Sequence, residues 1–215
     1  MSSITGEKIK LSVFGESHGS AIGCVVDGLP AGIKLDMQEI EREMARRAPG
    51  RDKTSTARKE ADLPRILSGV LNGTTTGAPL AMIIENTNTR SGDYENVHLV
   101  PRPGHSDYPA FVKYGGFNDI RGGGHFSGRL TAPMVFAGAI AKQILRARGI
   151  HIGSHISQIG NVHDDAIDRV NISPKTLESL TYNFFPVLRK EAEQEMRDFI
   201  EKARLSGDSA GGVIE

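Results

Sequence analysis

Lys8-Ile9-Lys10-Leu11-Ser12-Val13-Phe14-Gly15-Glu16-Ser17-His18-Gly19-Ser20-Ala21-Ile22-Gly23-Cys24-Val25-Val26-Asp27 is the stretch from which the fold is read. Residues 8–14 alternate polar and apolar side chains, the period of a half-buried strand. Residues 21–27 form a second apolar strand, and Gly28-Leu29-Pro30-Ala31-Gly32 turns the chain away. The two strands predict a hairpin with residues 15–19 at its tip. Downstream, Asp36 and Glu39 have the spacing of a capping box and predict a helix to about Arg47, stopped by Pro49-Gly50. Strands are expected over 66–70, 80–85 and 150–160, with another beginning at 213. Helices are expected over 131–148, from Ser173-Pro174, and over 187–205. Residues 86–108 and 115–128 read as long loops, a length that in compact domains usually serves function.

Lys+Arg and Asp+Glu both number 26, so the chain carries no net charge. A nucleic-acid partner is therefore not expected, because polyanion binders carry a basic excess. No apolar run reaches membrane-spanning length. The single cysteine, Cys24, has no partner for an internal disulfide and sits in an apolar run. A reducing, cytoplasmic setting fits it.

Four segments carry chemistry. In Gly15-Glu16-Ser17-His18-Gly19 and in Arg102-Pro103-Gly104-His105-Ser106-Asp107, a histidine stands among turn-forming residues. Histidine titrates near neutrality and suits proton transfer. Arg46-Arg47-Ala48-Pro49-Gly50-Arg51-Asp52-Lys53 is basic. It reads equally as a phosphate clamp or as a solvated face at a helix end. Arg121-Gly122-Gly123-Gly124-His125-Phe126-Ser127-Gly128-Arg129-Leu130-Thr131 feeds glycine-rich backbone into the helix at 131, an arrangement suited to phosphate or flavin. It has neither the Gly-Lys-Ser/Thr of a nucleotide-hydrolysing loop nor a dinucleotide fingerprint. His151 and His155 lie in a strand-like run, and His163-Asp164-Asp165 reads as a polar turn, so no metal site is expected.

Together these segments resemble the chorismate synthase family. Gly15 to Gly19, followed by Asp27-Gly28-Leu29-Pro30, is similar to its first signature. Arg102 to Tyr108 is similar to its second histidine loop, which commonly ends in Ala-Asp. Gly124 to Thr131 is similar to its Gly-x-x-Ser-Ala/Gly-Arg-x-Thr/Ser signature, and Gly207 to Gly212 to a later stretch. The order is the family's, and the resemblance covers essentially the whole chain. In three respects the chain departs. Arginine is common in the family where His125 stands and serine where Phe126 stands; arginine is common where Lys53 stands; and the family is usually about half as long again. Its later Arg-Ser-Asp signature and C-terminal flavin-binding loops have no counterpart here. Residues 1–215 are thus expected to form one domain, truncated at its C-terminus.

The resemblance implies an α+β fold, a helical layer sandwiched between antiparallel β-sheets. It implies 1,4-elimination of phosphate from 5-enolpyruvylshikimate 3-phosphate to give chorismate, with reduced FMN required. In that reading His18 and His105 are catalytic: His18 serves the departing phosphate and His105 the reduced flavin. Ser17, Arg47, Lys53, Arg102 and Arg129 bind substrate, and His125, Phe126 and Ser127 line the FMN. Arg47 and Lys53 match positions sometimes assigned to NADPH, and the family assembles as a homotetramer. The alternative expectation is a catalytically incomplete fragment acting only in binding or oligomerisation.

Overall fold

A computed structural model describes residues 3–50, 61–87 and 100–215. Their contacts group them into two compact units, residues 3–50 with 61–87 and 100–143, and residues 144–215.

The first unit is built on the predicted hairpin. β1 (Ile4–Thr5), β2 (Lys10–Gly15) and β3 (Ala21–Asp27) come first, followed by α1 (Met37–Arg47). β4 (Arg65–Ser68), the short hairpin of β5 (Val70–Leu71) and β6 (Thr74–Thr75), and β7 (Leu80–Glu85) complete the strands. All pairings are antiparallel, and the main sheet has the order β1-β2-β3-β7-β4. The register sets Ile22 opposite Ile84, Cys24 opposite Met82 and Val26 opposite Leu80. Because side chains alternate along a strand, all six fall on one face. Each is at most 4% exposed. The Cys24 thiol lies 3.5 Å from the Pro133 carbonyl, which brings α3 (Thr131–Arg146) onto that face. Phe136 and Ile140 of α3 are buried, as are Ile40 and Met44 of α1. Burial pushes the Cys24 thiol up to about 12, so it packs as an inert apolar side chain.

The Asp36 carboxylate accepts from the Glu39 amide at 3.0 Å and caps α1 as predicted. The Gln143 side chain pairs with the same residue's backbone, accepting from Asp36 N and donating to Asp36 O at 2.9 Å each. Lys142 reaches Glu43 at 2.6 Å. Asp36→Ala is expected to cost about 1 kcal/mol, read as a lower urea midpoint with unchanged slope.

A helix that the sequence analysis did not anticipate, α2 (Asp107–Tyr114), follows the second histidine loop. Its aromatic and β-branched residues are weak helix formers. A side-chain contact across the preceding loop starts it: Asp107, its first residue, is held by Arg102, five residues earlier. The glycine-rich segment is also more ordered than the loop expected, with 3-10 turns at Gly124–Phe126 and Gly128–Leu130.

In the second unit β8 (Ile156–Ile159) pairs with β9 (Val162–His163) and with β10 (Gly212–Ile214). Its helices are α4 (Pro174–Tyr182) and α5 (Lys190–Leu205). Phe185, Val187, Ala192 and Met196 form its core, with Ile156, Ile159 and Ile200 against them. The strand expected over 150–160 shrinks to β8. The helix expected from 187 begins at 190, because the Leu188 and Arg189 amides donate to the Asp164 carboxylate instead of entering it. His155, completely buried, lies between Asp164 and Glu215 at 3.1 and 3.2 Å.

Helices and antiparallel strands coexist in each unit, so the fold class is α+β. Among the described residues, no helix is long and apolar enough to cross a membrane.

Candidate active site

The hairpin tip joining β2 to β3 carries Ser17 and His18. The Ser17 amide donates to Gly124 O at 3.1 Å, which ties the tip to the glycine-rich loop. Its hydroxyl, buried with the rest of the side chain, lies 3.1 Å from His18 Nδ1 and 3.5 Å from Arg121 O.

His105 arrives on a second tied loop. Arg102 donates to Asp107 from its backbone amide, its Nε and its Nη2, at 2.8–2.9 Å. Two-pronged pairing of this kind fixes direction as well as distance. The loop closed by that pair contains Gly104, in the left-handed region at φ +73°, and His105, whose Nδ1 lies 3.2 Å from Pro103 O. A further bond from Arg102 Nη2 to Gly122 O, at 2.5 Å, ties this loop to the glycine-rich segment too.

Both histidines therefore anchor on residues 121–124, and both line one cavity of about 420 Å³. Ser17, Arg102, Gly122, Gly123, Phe126 and Ser127 complete most of its wall. A second cavity of about 540 Å³ shares Ser106, Gly122, Gly123 and Phe126 with the first and adds Phe14, Phe111 and Tyr114. Phe126 meets Tyr114 edge to face, with centroids 6.0 Å apart.

The remaining predicted residues lie elsewhere. Arg47 and Arg129 converge on the Asp62 carboxylate, Arg47 at 2.5 Å and Arg129 closer still. Asp62 is buried, and neither arginine lines the two-histidine cavity. His125 belongs to the wall of the larger cavity, with Nδ1 2.9 Å from Gly15 O and Nε2 2.9 Å from Ser3 Oγ. Lys53 lies outside the described residues.

Three carboxylates and one amide that hold the candidate site's frame escaped sequence reading. Asp62 closed a polar stretch without periodicity, and Asn86 followed a strand as an ordinary loop residue. Asp107 and Asp119 gave no signal beyond their nearness to arginine. Asp119 holds Arg121 through both carboxylate oxygens at 2.7–3.0 Å.

Arg102 beside Asp107, and Arg121 beside Asp119, hold these two carboxyls below the usual carboxylate range. The folded state then binds fewer protons than the unfolded chain. The stabilisation is present above the unfolded value of about 4 and is lost as pH falls through the lowered ones. Urea titrations at decreasing pH are expected to show stability dropping below about pH 4, with Asp107→Asn flattening that slope.

The arrangement can move a proton at either imidazole beside a wall of glycine backbone, serine hydroxyl and a guanidinium. That combination suits an anionic substrate with a leaving group that gains charge.

Comparison with known proteins gives the family. The profile of the chorismate synthase family matches residues 9–215. A chorismate synthase of Thermococcus kodakarensis is 46% identical over 210 residues, which are 98% of this chain and 57% of that protein. One of Helicobacter hepaticus is 46% identical over 207 residues, 96% of this chain and 55% of that protein. A crystal structure of chorismate synthase superposes with a TM-score of 0.68 at 26% identity, covering 98% of this chain and 58% of the other. The chain thus spans less than two thirds of the length of the relatives it matches.

Proposed function

The chain belongs to the chorismate synthase family, and from that membership we propose that it carries the proton-transfer half of the family's reaction. The substrate is 5-enolpyruvylshikimate 3-phosphate, and the products are chorismate and inorganic phosphate. The observation that carries this reading is the shared cavity of His18 and His105, two residues far apart in the chain.

His18, with Nδ1 against the Ser17 hydroxyl, presents its ring to the cavity beside the Gly122 and Gly123 backbone. In this reading it delivers a proton, or positive charge, to the departing phosphate. Arg102 contributes a fixed cation to the same wall, held in place by Asp107. His105, two residues before α2, faces the cavity from the opposite loop and serves as the second proton-handling group. Arg47 and Arg129 act at one remove in this reading. Their charges meet at Asp62 and support the cavity's frame.

Reduced FMN is the cofactor proposed. When bound, it would lend electron density to expulsion of the phosphate and take part in removal of the ring hydrogen, without net redox change. The residues present fit such a ring: Phe126 and Ser127 border the two-histidine cavity, and the adjoining cavity is walled by Phe14, Phe111 and Tyr114. Flat aromatic surface with a few hydrogen-bonding groups is what a flavin needs. Phe126 and Ser127 would hold it, with His125 steadying the wall behind them. NADPH as reductant at Arg47 and Lys53, a homotetrameric assembly and a cytoplasmic location belong to the same proposal.

The test is anaerobic turnover of 5-enolpyruvylshikimate 3-phosphate by this chain with reduced FMN, followed by the appearance of chorismate. His18→Ala and His105→Ala are each expected to slow it about 10²–10⁴-fold. Full turnover by both variants would overturn the assignment. Absence of turnover by the parent chain would favour the fragment that only binds or oligomerises.

A further inference from the structure

We propose that Asn86 is the positioning residue of the His18 loop, locked in orientation by a buried Arg129–Asp62 pair; its functional meaning rests on the reading above. Asn86 directly follows β7, and its backbone amide donates to Ser20 O at 3.0 Å. Its side chain crosses to the hairpin tip, where Nδ2 donates to Glu16 O at 3.0 Å and to Gly19 O at 2.9 Å. One residue thus gathers three carbonyls of the tip that holds Ser17 and His18.

The amide's orientation is dictated from its other side. Asn86 Oδ1 accepts from Arg129 Nε at 3.1 Å. A flipped amide would set its NH₂ against a guanidinium and its oxygen against two carbonyls, losing all three bonds. Arg129 cannot easily swing away, because its Nη1 is bonded to buried Asp62, which also holds Arg47. Arg47 in turn reaches Gly128 O at 3.1 Å, on the far side of the glycine-rich segment. Asp62 thereby links both walls of the cavity, and Asn86 is the member that touches the His18 loop. Half-buried, it lines no part of the cavity.

Asn86→Asp keeps an oxygen for Arg129 but turns a carboxylate oxygen toward Glu16 O and Gly19 O. Asn86→Ser removes the reach without adding charge. Histidine-labelled protein is followed by NMR, with inorganic phosphate as the probe. In both variants the His18 ring resonances are expected to move towards those of a free histidine. The apparent Kd for phosphate read at His18 is expected to rise about tenfold. The resonances of His125, held by Ser3 and Gly15, should stay in place and report an intact unit. Wild-type His18 positions in either folded variant would overturn the proposal.

The parent protein supplies a measurement that no unfolded variant can spoil. Both Asn86 Nδ2 protons should exchange at least about tenfold slower than those of a free amide. Exchange at the free rate also overturns the proposal. Failure of the functional reading looks different: phosphate then perturbs neither His18 nor His105 in the parent, while the ring positions in the variants still decide the role of Asn86.

Discussion

Gly122→Ala is expected to disable the two-histidine site while leaving the first unit folded. Gly122 has φ +63°, and a Cβ placed there would lie 2.4 Å from His18 Nδ1, 2.5 Å from its Cε1 and 2.6 Å from Ser17 Oγ. The backbone strain is about 1–2 kcal/mol, a cost the unit can carry. The clash is relieved by whatever moves most easily, and that is the imidazole ring, the free end of a side chain. Relief therefore displaces the group on which the proposed chemistry depends and breaks its contact with Ser17. Turnover in the anaerobic assay is expected to fall about 10²–10⁴-fold, the usual contribution of a general acid or base. The thermal midpoint should shift only a few degrees. Gly128→Ala is the matched control: Gly128 lines the same cavity, and nothing lies within 4 Å of its added Cβ. It should stay near parental activity. Equal effects from the two substitutions would mean that crowding of His18 is not what matters.

Asp62→Leu is expected to be the most destabilising single change in the first unit. It removes the carboxylate that Arg47 and Arg129 share, and the Arg129 side chain is only 3% exposed. An uncompensated buried cation costs about 3–5 kcal/mol, a large fraction of the stability of an ordinary domain. Denaturant unfolding should show the midpoint collapse. Adding Arg129→Leu should recover part of the loss, because the second change removes the stranded charge that the first created. Strict additivity of the two would argue that the pair is not coupled. The expected damage also reaches function, since Arg129 sets the orientation of Asn86 and Arg47 reaches the Gly128 carbonyl.

Legibility differed from element to element, for identifiable reasons. The β2–β3 hairpin was readable because alternation is a local property and Gly15 and Gly28 punctuate it. The α1 start was readable because Asp36 and Glu39 stand at capping distance. α2 was not readable: its residues favour strand or loop, and the interaction that begins it joins Arg102 to Asp107 across a histidine loop. The late start of the expected 187–205 helix was hidden because the Leu188 and Arg189 amides answer to Asp164, more than twenty residues away.

For the site, motif spacing marked His18, His105, Ser17 and Ser127, and the fold brings these four to one cavity. The arginines divided differently. Of those expected to meet the substrate, Arg102 lines the cavity, whereas Arg47 and Arg129 turn to Asp62.

By itself, the amino-acid order determined the local elements and singled out the candidate site residues. Both depend on neighbours a few residues away, through strand period, capping and turn chemistry. Only the tertiary structure decided which charges face the cavity and which neutralise one another beneath it. Asp62 lies 15 residues from Arg47 and 67 from Arg129 in the chain. An ion pair forms with whatever opposite charge the folded backbone brings close, and no local pattern along the sequence encodes that approach.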